Sequence, residues 1–318
     1  MGVGLCGPGD LNVAFAVGTS PDGSRVFVTG GSSGFHGSAN YATVAYNATT
    51  GAKQWVARYQ GPGHGDDEAT ALAVSPDGST VDVTGVSLGV GGIQEYATVA
   101  YTAATGARRW VARYRGGNGG DVALAIGVSL AGSGVVVTGY GRGANDFADI
   151  VTVSYDAGTG ARRWAARYDG AAHMEDAASA LAIAPNGLQV YVTGFSEGRS
   201  GSGYYVTLAY DAESGGKQWV SLYNGPAKGS DSATNITVSG DGSKVFVTGT
   251  SIGSDKSIGY ATLAYDPGTG GTMWKRRYDG PPGSQDLAYA IGVSPVGSRM
   301  FVAGESNNAY LAIAYSTG

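Results

Sequence analysis

"SPDGSRVFVTG", residues 20–30, decides the fold. Pro21 and Gly23 take the second and fourth places of a type I turn, and Arg25–Gly30 follows with apolar and polar residues alternating as in a strand. Its last three residues act as a ruler. "VTG" ends at Gly30, Gly85, Gly139, Gly194 and Gly249, and "VAG" ends at Gly304, so the steps are 55, 54, 55, 55 and 55 residues. A fixed period of this length marks a repeat architecture of six units.

Each unit resolves into four strands. Strand A ("AFAV" in unit one) is followed by the Pro-Gly turn or a relative of it ("SLAG", "APNG", "SGDG", "SPVG") and strand B, "RVFVTG". A longer loop leads to strand C, "YATVAY", and an "ATTG" turn leads to strand D, "QWVARY". No stretch keeps helical spacing over ten residues. Four antiparallel strands repeated radially predict an all-β, six-bladed β-propeller, with repeats at about 12–59, 67–114, 121–168, 176–223, 231–278 and 286–318 of a single domain covering 1–318.

The five tryptophans all open strand D: "TGAKQWVARY" from Thr50 recurs from Thr105, Thr159, Ser214 and Thr269 in related forms. The sixth unit stops at "AYSTG" before its strand D. Counting back by the repeat sets residues 1–5 opposite Trp55–Tyr59, so residues 1–6 are expected to close the ring as the last blade's fourth strand, leaving no exposed sheet edge. The tryptophans are expected between adjacent blades, each worth roughly 4–6 kcal/mol of gross burial as an upper bound. Blade six would lack this wedge. Strand A starts with alanine in every unit (Ala14, Ala69, Ala123, Ala178, Ala233, Ala288), as crowding near an axis requires.

Composition narrows the function classes. The chain has 56 glycines, 42% hydrophobic residues, only 14% charged residues and a net charge of −5. With no stripe of Lys and Arg, a nucleic-acid partner is not expected, and no segment has the roughly 18 apolar residues of a membrane span. The single cysteine, Cys6, allows neither an internal disulfide nor a cysteine-based zinc site. The start, "MGVGLCGPGD", has neither the basic end nor the apolar run of a signal peptide.

"YDAGTGARRW" (Tyr155–Trp164) resembles the tryptophan-docking repeat of PQQ-dependent alcohol dehydrogenases, and "SPDGSRVFVTG" resembles the YVTN-type repeat of secreted and surface bacterial proteins. Together the resemblances cover the whole chain and imply a propeller; a fold of this kind hosts many activities. The quinoprotein resemblance would further imply calcium, a sandwiched quinone and an adjacent-cysteine disulfide. One cysteine and six units instead of eight depart from that pattern, so no cofactor is expected, with Ca²⁺ kept as an option. The repeats imply an extracytoplasmic or secreted location.

The D-to-A and B-to-C loops are long and irregular while the other turns repeat, so a ligand face is expected on the loop side. The candidates there are Phe35, His36, His64, Phe147, His173, Tyr204 and Tyr205. Asp67, Asp121, Asp176, Asp231 and Asp286 each lie 18 residues before the triplet glycine, with Asn12 in the first unit. They read either as a cation site of hard oxygen ligands or as caps accepting backbone N–H groups at the entry to strand A, and sixfold repetition favours the caps. Four G-x-S-x-G matches, among them "GVSLG" and "GFSEG", end strand B rather than precede a helix, so their serines are expected to bond locally. His64 with Asp66, or His173 with Glu175, are the nearest approaches to an acid–base pair.

The reading that fits best is a monomeric, non-catalytic binding or scaffold propeller that engages a carbohydrate or protein through its long-loop face. The alternative is an enzyme, a quinone- or metal-dependent oxidoreductase or a lactonase-like hydrolase, with its site at the channel mouth.

Overall fold

The structure, a computed structural model, describes residues 12–33, 38–281, 283–294 and 296–317. These residues form 23 strands and no helix. Blade 1 is β1–β4 (Asn12–Thr19, Arg25–Ser33, Ala39–Asn47, Lys53–Tyr59) and blade 2 is β5–β8 (Asp67–Val74, Thr80–Leu88, Gln94–Thr102, Arg108–Tyr114). Blade 3 is β9–β12 (Val122–Val128, Gly134–Arg142, Ala148–Asp156, Arg162–Tyr168) and blade 4 is β13–β16 (Asp176–Ile183, Gln189–Glu197, Gly203–Asp211, Lys217–Tyr223). Blade 5 is β17–β20 (Ser232–Val238, Val245–Ile252, Ile258–Tyr265, Thr272–Tyr278) and blade 6 is β21–β23 (Asp286–Val293, Arg299–Ser306, Ala309–Ser316). Each sheet follows chain order, five with four strands and one with three, and the architecture is a β-propeller. The expected closing strand, residues 1–6, lies outside the described residues.

Two compact units divide the chain: one holds the described residues up to Asp146 with Thr152–Ala165, the other Phe147–Val151 with the residues from Ala166 onward. Within the first, β5 packs on β1, β2 and β3, and β9 on β5, β6 and β7. Within the second, β17 packs on β13, β14 and β15, and β21 on β17, β18 and β19. Strand A of each of these blades thus inserts against the sheet before it.

The ruler glycine explains how it can. Opposite Gly30, strand β1 is bulged: Gly30 faces Ala14 while Thr29 faces Ala16, and the same one-residue shift recurs in all six blades. A Cβ on Gly30, Gly85, Gly139, Gly194, Gly249 or Gly304 would lie 1.9–2.2 Å from a carbonyl oxygen of strand A, so only glycine lets the two backbones approach. In three blades the bulged residue is a serine or threonine whose hydroxyl reaches the next blade. Thr70 donates to the Ala123 carbonyl (2.7 Å), Ser179 to Ala233 (2.6 Å) and Thr234 to Ala288 (2.7 Å).

Strands B and C are further joined by buried threonine pairs, Thr29–Thr43, Thr84–Thr98, Thr138–Thr152, Thr193–Thr207 and Thr248–Thr262, at 2.9–3.1 Å. Blade 6 has Ala303 opposite Ala312 instead. In the turn between β1 and β2, Asp22 accepts from the Ser20 hydroxyl and the Ser24 N–H, and these bonds hold its carboxyl at about 2.

Three tryptophans dock as expected, on the C-to-D turn of the following blade. Trp55 Nε1 donates to the Ala103 carbonyl, Trp110 to Ala157 and Trp219 to Pro267, at 2.8–2.9 Å. Each indole lies over a glycine with positive φ, namely Gly106, Gly160 and Gly270. Changing Gly160 to alanine would place a Cβ 2.7 Å from the Trp110 ring, whereas at Gly187, with the same φ of 73°, it would meet nothing within 4 Å. Gly187→Ala should therefore cost about 1–2 kcal/mol from the left-handed backbone alone, and Gly160→Ala about 3 kcal/mol or more, read from denaturation midpoints.

One core position breaks the pattern. Phe27, Tyr191 and Phe246 each face the tryptophan of their own blade, and Asp82 stands in the corresponding place in blade 2, 1% exposed. Thr80 donates to its Oδ2 (3.1 Å) and its Oδ1 has no partner. Burial pushes this carboxyl up to about 7, against the opposing pull of Thr80 and Arg109. A carboxyl with a raised folded-state value is harmless while protonated in both states, below about pH 4, and costs stability as pH rises through about 7. Asp82→Val, the residue of Val136 in blade 3, should raise stability at pH 8 by on the order of 3 kcal/mol, with the gain vanishing near pH 4 in a pH series of unfolding curves.

Candidate functional site on the loop face

In blades 2 and 5 the D-to-A and B-to-C loops meet because the strand-entry aspartate binds both. Gly61 donates to Asp67 Oδ2 (2.7 Å) and Leu88 to Oδ1 (3.0 Å); Gly225 and Ile252 do the same for Asp231 (2.6 and 2.9 Å). Gly116, Gly170 and Gly280 donate to Asp121, Asp176 and Asp286 (2.9, 2.6 and 2.7 Å). All five side chains are buried, each at the corner of its own blade and bonded to its own loop. In blade 1, Asn12 Oδ1 accepts from Ser32 instead.

Backbone bonds complete the rim: Gly63 to Leu88, Asp121 to Gln94, Glu197 to Glu175 and Asp231 to Gly203, at 2.9–3.2 Å. Four D-to-A loops also turn through one residue three places before their aspartate. That corner is His64, His173, Lys228 or Gly283, all at positive φ, whereas Asn118 before Asp121 is not. His64 and His173 are exposed there, and His173 Nδ1 is 2.7 Å from Asp169 Oδ2 rather than paired with Glu175, whose Oε2 accepts from the Ala148 N–H (3.0 Å). Asp66 likewise accepts from Ala39 (2.9 Å).

The aromatic candidates separate. Phe147 is half-buried, and Tyr204 is half-buried with its ring against Gly198. Tyr205 is not a ligand-face residue: strand alternation turns it inward, where it is fully buried, packs edge-on to Tyr223 and donates to the Ala261 carbonyl (3.3 Å). Burial raises its hydroxyl well above the ordinary tyrosine value. Phe35 and His36 lie outside the described residues.

Three of the four G-x-S-x-G serines are held by arginines of strand D; beside Ser196 the corresponding strand residue is Leu222. Arg58 donates to Ser32, Arg113 to Ser87 and Arg277 to Ser251, at 2.7–2.8 Å. A serine whose oxygen accepts from a guanidinium is not poised to lose a proton to a base. In blade 3, Gly141 stands where the serine would be, and Arg167 donates to Asp149 (2.6 Å). These arginines have carboxylate partners as well, Glu95 for Arg113 (2.8 Å) and Asp279 for Arg277 (2.5 Å). The sequence reading missed this set, although the "ARY" and "RRY" endings of strand D carried the signal.

With a tryptophan docking on the next blade and an aspartate braced to both long loops, the repeat can be matched to known proteins. A family model described as outer membrane protein assembly factor BamB matches residues 10–241. The chain belongs to this PQQ-type propeller family. A comparison with curated proteins finds no match. Among solved structures, the BamB-type chain is similar to BamB from Moraxella catarrhalis, at 18% identity and TM-score 0.54 over 96% of this chain and 77% of that one. Sqt1 of Chaetomium thermophilum, bound to the N-terminus of ribosomal protein L10, gives 16% and 0.61 over 94% and 69%. Hydrazine synthase of Kuenenia stuttgartiensis gives 14% and 0.60 over 91% and 73%. At these identities the likeness shows the fold.

Among the described residues no helix is long and apolar enough to cross a membrane. In this PQQ-type chain the aspartate braces set the loop face. Asp231→Ala should leave the Gly225 and Ile252 N–H groups without their acceptor, cost about 3 kcal/mol and speed hydrogen exchange at those two amides while sparing those at Gly61 and Leu88.

Proposed function

We propose that the chain is a non-catalytic binding or scaffold propeller, acting outside the cytoplasm, that holds a protein partner on its loop face. The observation that carries this is the contrast at the loop corners: one backbone geometry, braced by a buried aspartate, presents His64, His173, Lys228 or Gly283. A constant frame with side chains that differ from blade to blade suits recognition of an asymmetric surface. Membership of a family described as an assembly factor supports the scaffold role and the location, and the Sqt1 complex shows that a fold of this kind takes a protein segment.

The test is site-directed photocrosslinking in the producing cell. A photoreactive residue at His173 or Lys228 should trap one and the same protein, and one at Pro185, in the turn between strands A and B of blade 4, should not. His173→Ala with Lys228→Ala should then weaken the purified complex by on the order of 30-fold, the effect of one hot-spot residue. Equal trapping from both sets of positions would overturn the assignment. So would selective glycan binding that the double substitution abolishes, or turnover of a quinone-dependent substrate by the purified chain.

A further inference from the structure

Blade 3 carries one carboxylate more than its arginine can pair. In blade 2 the start of strand C supplies Glu95 to Arg113, and in blade 5 the end of strand D supplies Asp279 to Arg277. Blade 3 has an acid at both places: Asp149 at the position of Glu95 and Asp169 at that of Asp279. Both face the strand-entry residue of blade 4, Asp176. One carboxylate oxygen from each of the three lies within 4.8 Å of the others.

Two of the three are buried and each keeps an oxygen in reserve. Asp149 is 3% and Asp176 1% exposed. Their Oδ2 atoms accept from Arg167 and from the Gly170 N–H, and their Oδ1 atoms have no hydrogen-bond partner. The Asp176 oxygen is freed by a local exchange. Asp67 and Asp231 use Oδ1 to take the N–H of Leu88 or Ile252, but in blade 4 the corresponding Glu197 N–H donates to the Glu175 carbonyl (2.9 Å). Asp286 is released in the same way by Asn307, yet among the described residues it belongs to no cluster of three acids.

A buried carboxylate oxygen without a donor is costly unless a cation faces it. Burial pushes the Asp176 carboxyl up to about 6, with Asp169 and Asp149 adding repulsion and the Ser196 hydroxyl and Gly170 N–H opposing it. Asp149 is raised by burial too, despite Arg167. Asp169 is the exposed member, 37% at its side chain, and leaves the cluster open to solvent on one side.

We propose that Asp149, Asp169 and Asp176 form a calcium site on the rim where blade 3 hands the chain to blade 4. Three hard carboxylate oxygens suit an alkaline-earth ion. Ligands at about 2.3–2.6 Å stand up to about 5 Å apart across Ca²⁺, so oxygens that all lie within 4.8 Å of one another can share one in flexible geometry, while Mg²⁺ demands a near-ideal octahedron at about 2.0–2.1 Å. An open side admits the waters that complete six to eight ligands. The ion would fix the loop that carries His173, so presentation of that corner would depend on calcium.

The full chain, stripped with a chelator, is titrated with CaCl₂ and separately with MgCl₂ by calorimetry, and its melting temperature is recorded in each. One Ca²⁺ should bind per chain and raise the melting temperature, with Mg²⁺ at least tenfold weaker. Asp169→Asn, at an exposed position that folding does not need, should weaken Ca²⁺ at least tenfold, and Asp149→Asn should do so while keeping an acceptor for Arg167. Asp279→Asn should bind Ca²⁺ as the parent does. No calcium heat and no shift, an undiminished shift in both Asp149→Asn and Asp169→Asn, or Mg²⁺ binding as tightly as Ca²⁺ would each overturn the assignment.

Discussion

The contact between a glycine and a bulge sets the rest of the structure. At six places the last residue of the triplet lies against a strand-A carbonyl at a distance no side chain tolerates. That approach lets the innermost strand bend, which turns the bulged residue out of the ladder. Where this residue is Thr70, Ser179 or Thr234, its hydroxyl bonds the corresponding alanine of the next blade. Blade-to-blade spacing is therefore set on the inner strands by a backbone contact and a hydroxyl, and on the outer strands by a tryptophan over a glycine turn.

Because both devices recur with the period of the chain, the fold was legible from residue order alone. The triplet gave the blade count, and the alternation in "RVFVTG" and "YATVAY" placed strands that the structure sets at Arg25–Ser33 and Ala39–Asn47. The tryptophan was equally visible, as was the glycine a constant few residues before each one, which at Gly106, Gly160 and Gly270 is covered by the tryptophan of the preceding blade. Tyr205 was misread because a loop and the first turn of a strand look alike in sequence. Only pairing across the sheet, of Tyr205 with Phe195 and Tyr223 and of Tyr204 with Ser196, decides which of two adjacent tyrosines points in.

The loop face was legible in outline and not in detail, for a reason that lies in the chemistry of repeats. A residue that recurs in each unit, such as the strand-entry aspartate, announces itself, and its recurrence points to a backbone need shared by all blades. Asp149 and Asp169 are exceptions at positions held elsewhere by Asn40, Glu95, Tyr204 and Gly259, or by Gln60, Arg115, Asn224 and Asp279. Neither is notable alone, and they are 20 residues apart in the chain. Their meaning comes from strand pairing, which brings the start of strand C beside the end of strand D, as in the pair of Tyr96 with Tyr114.

A repeat protein of this kind divides its residues into those that make blades and those that break the symmetry between them. The first group tolerates little change, because a substitution at one copy meets the same crowded backbone as at the others. The second group is cheap to vary, since the aspartate brace and the glycine contact hold the loop whatever occupies its corner. Asp82 shows that the division is not perfect: a carboxylate sits in a core place that aromatic rings fill in blades 1, 4 and 5, and its orphaned oxygen lowers stability at neutral pH. The acids at the exit of blade 3 pose the same electrostatic problem at the rim rather than in the core. There, one member is open to solvent and an arginine already takes half the charge of another, so a cation can resolve it. Asp82 has no such route: it is buried in the core beside Thr80, and among the described residues it belongs to no cluster of three acids that could share an ion.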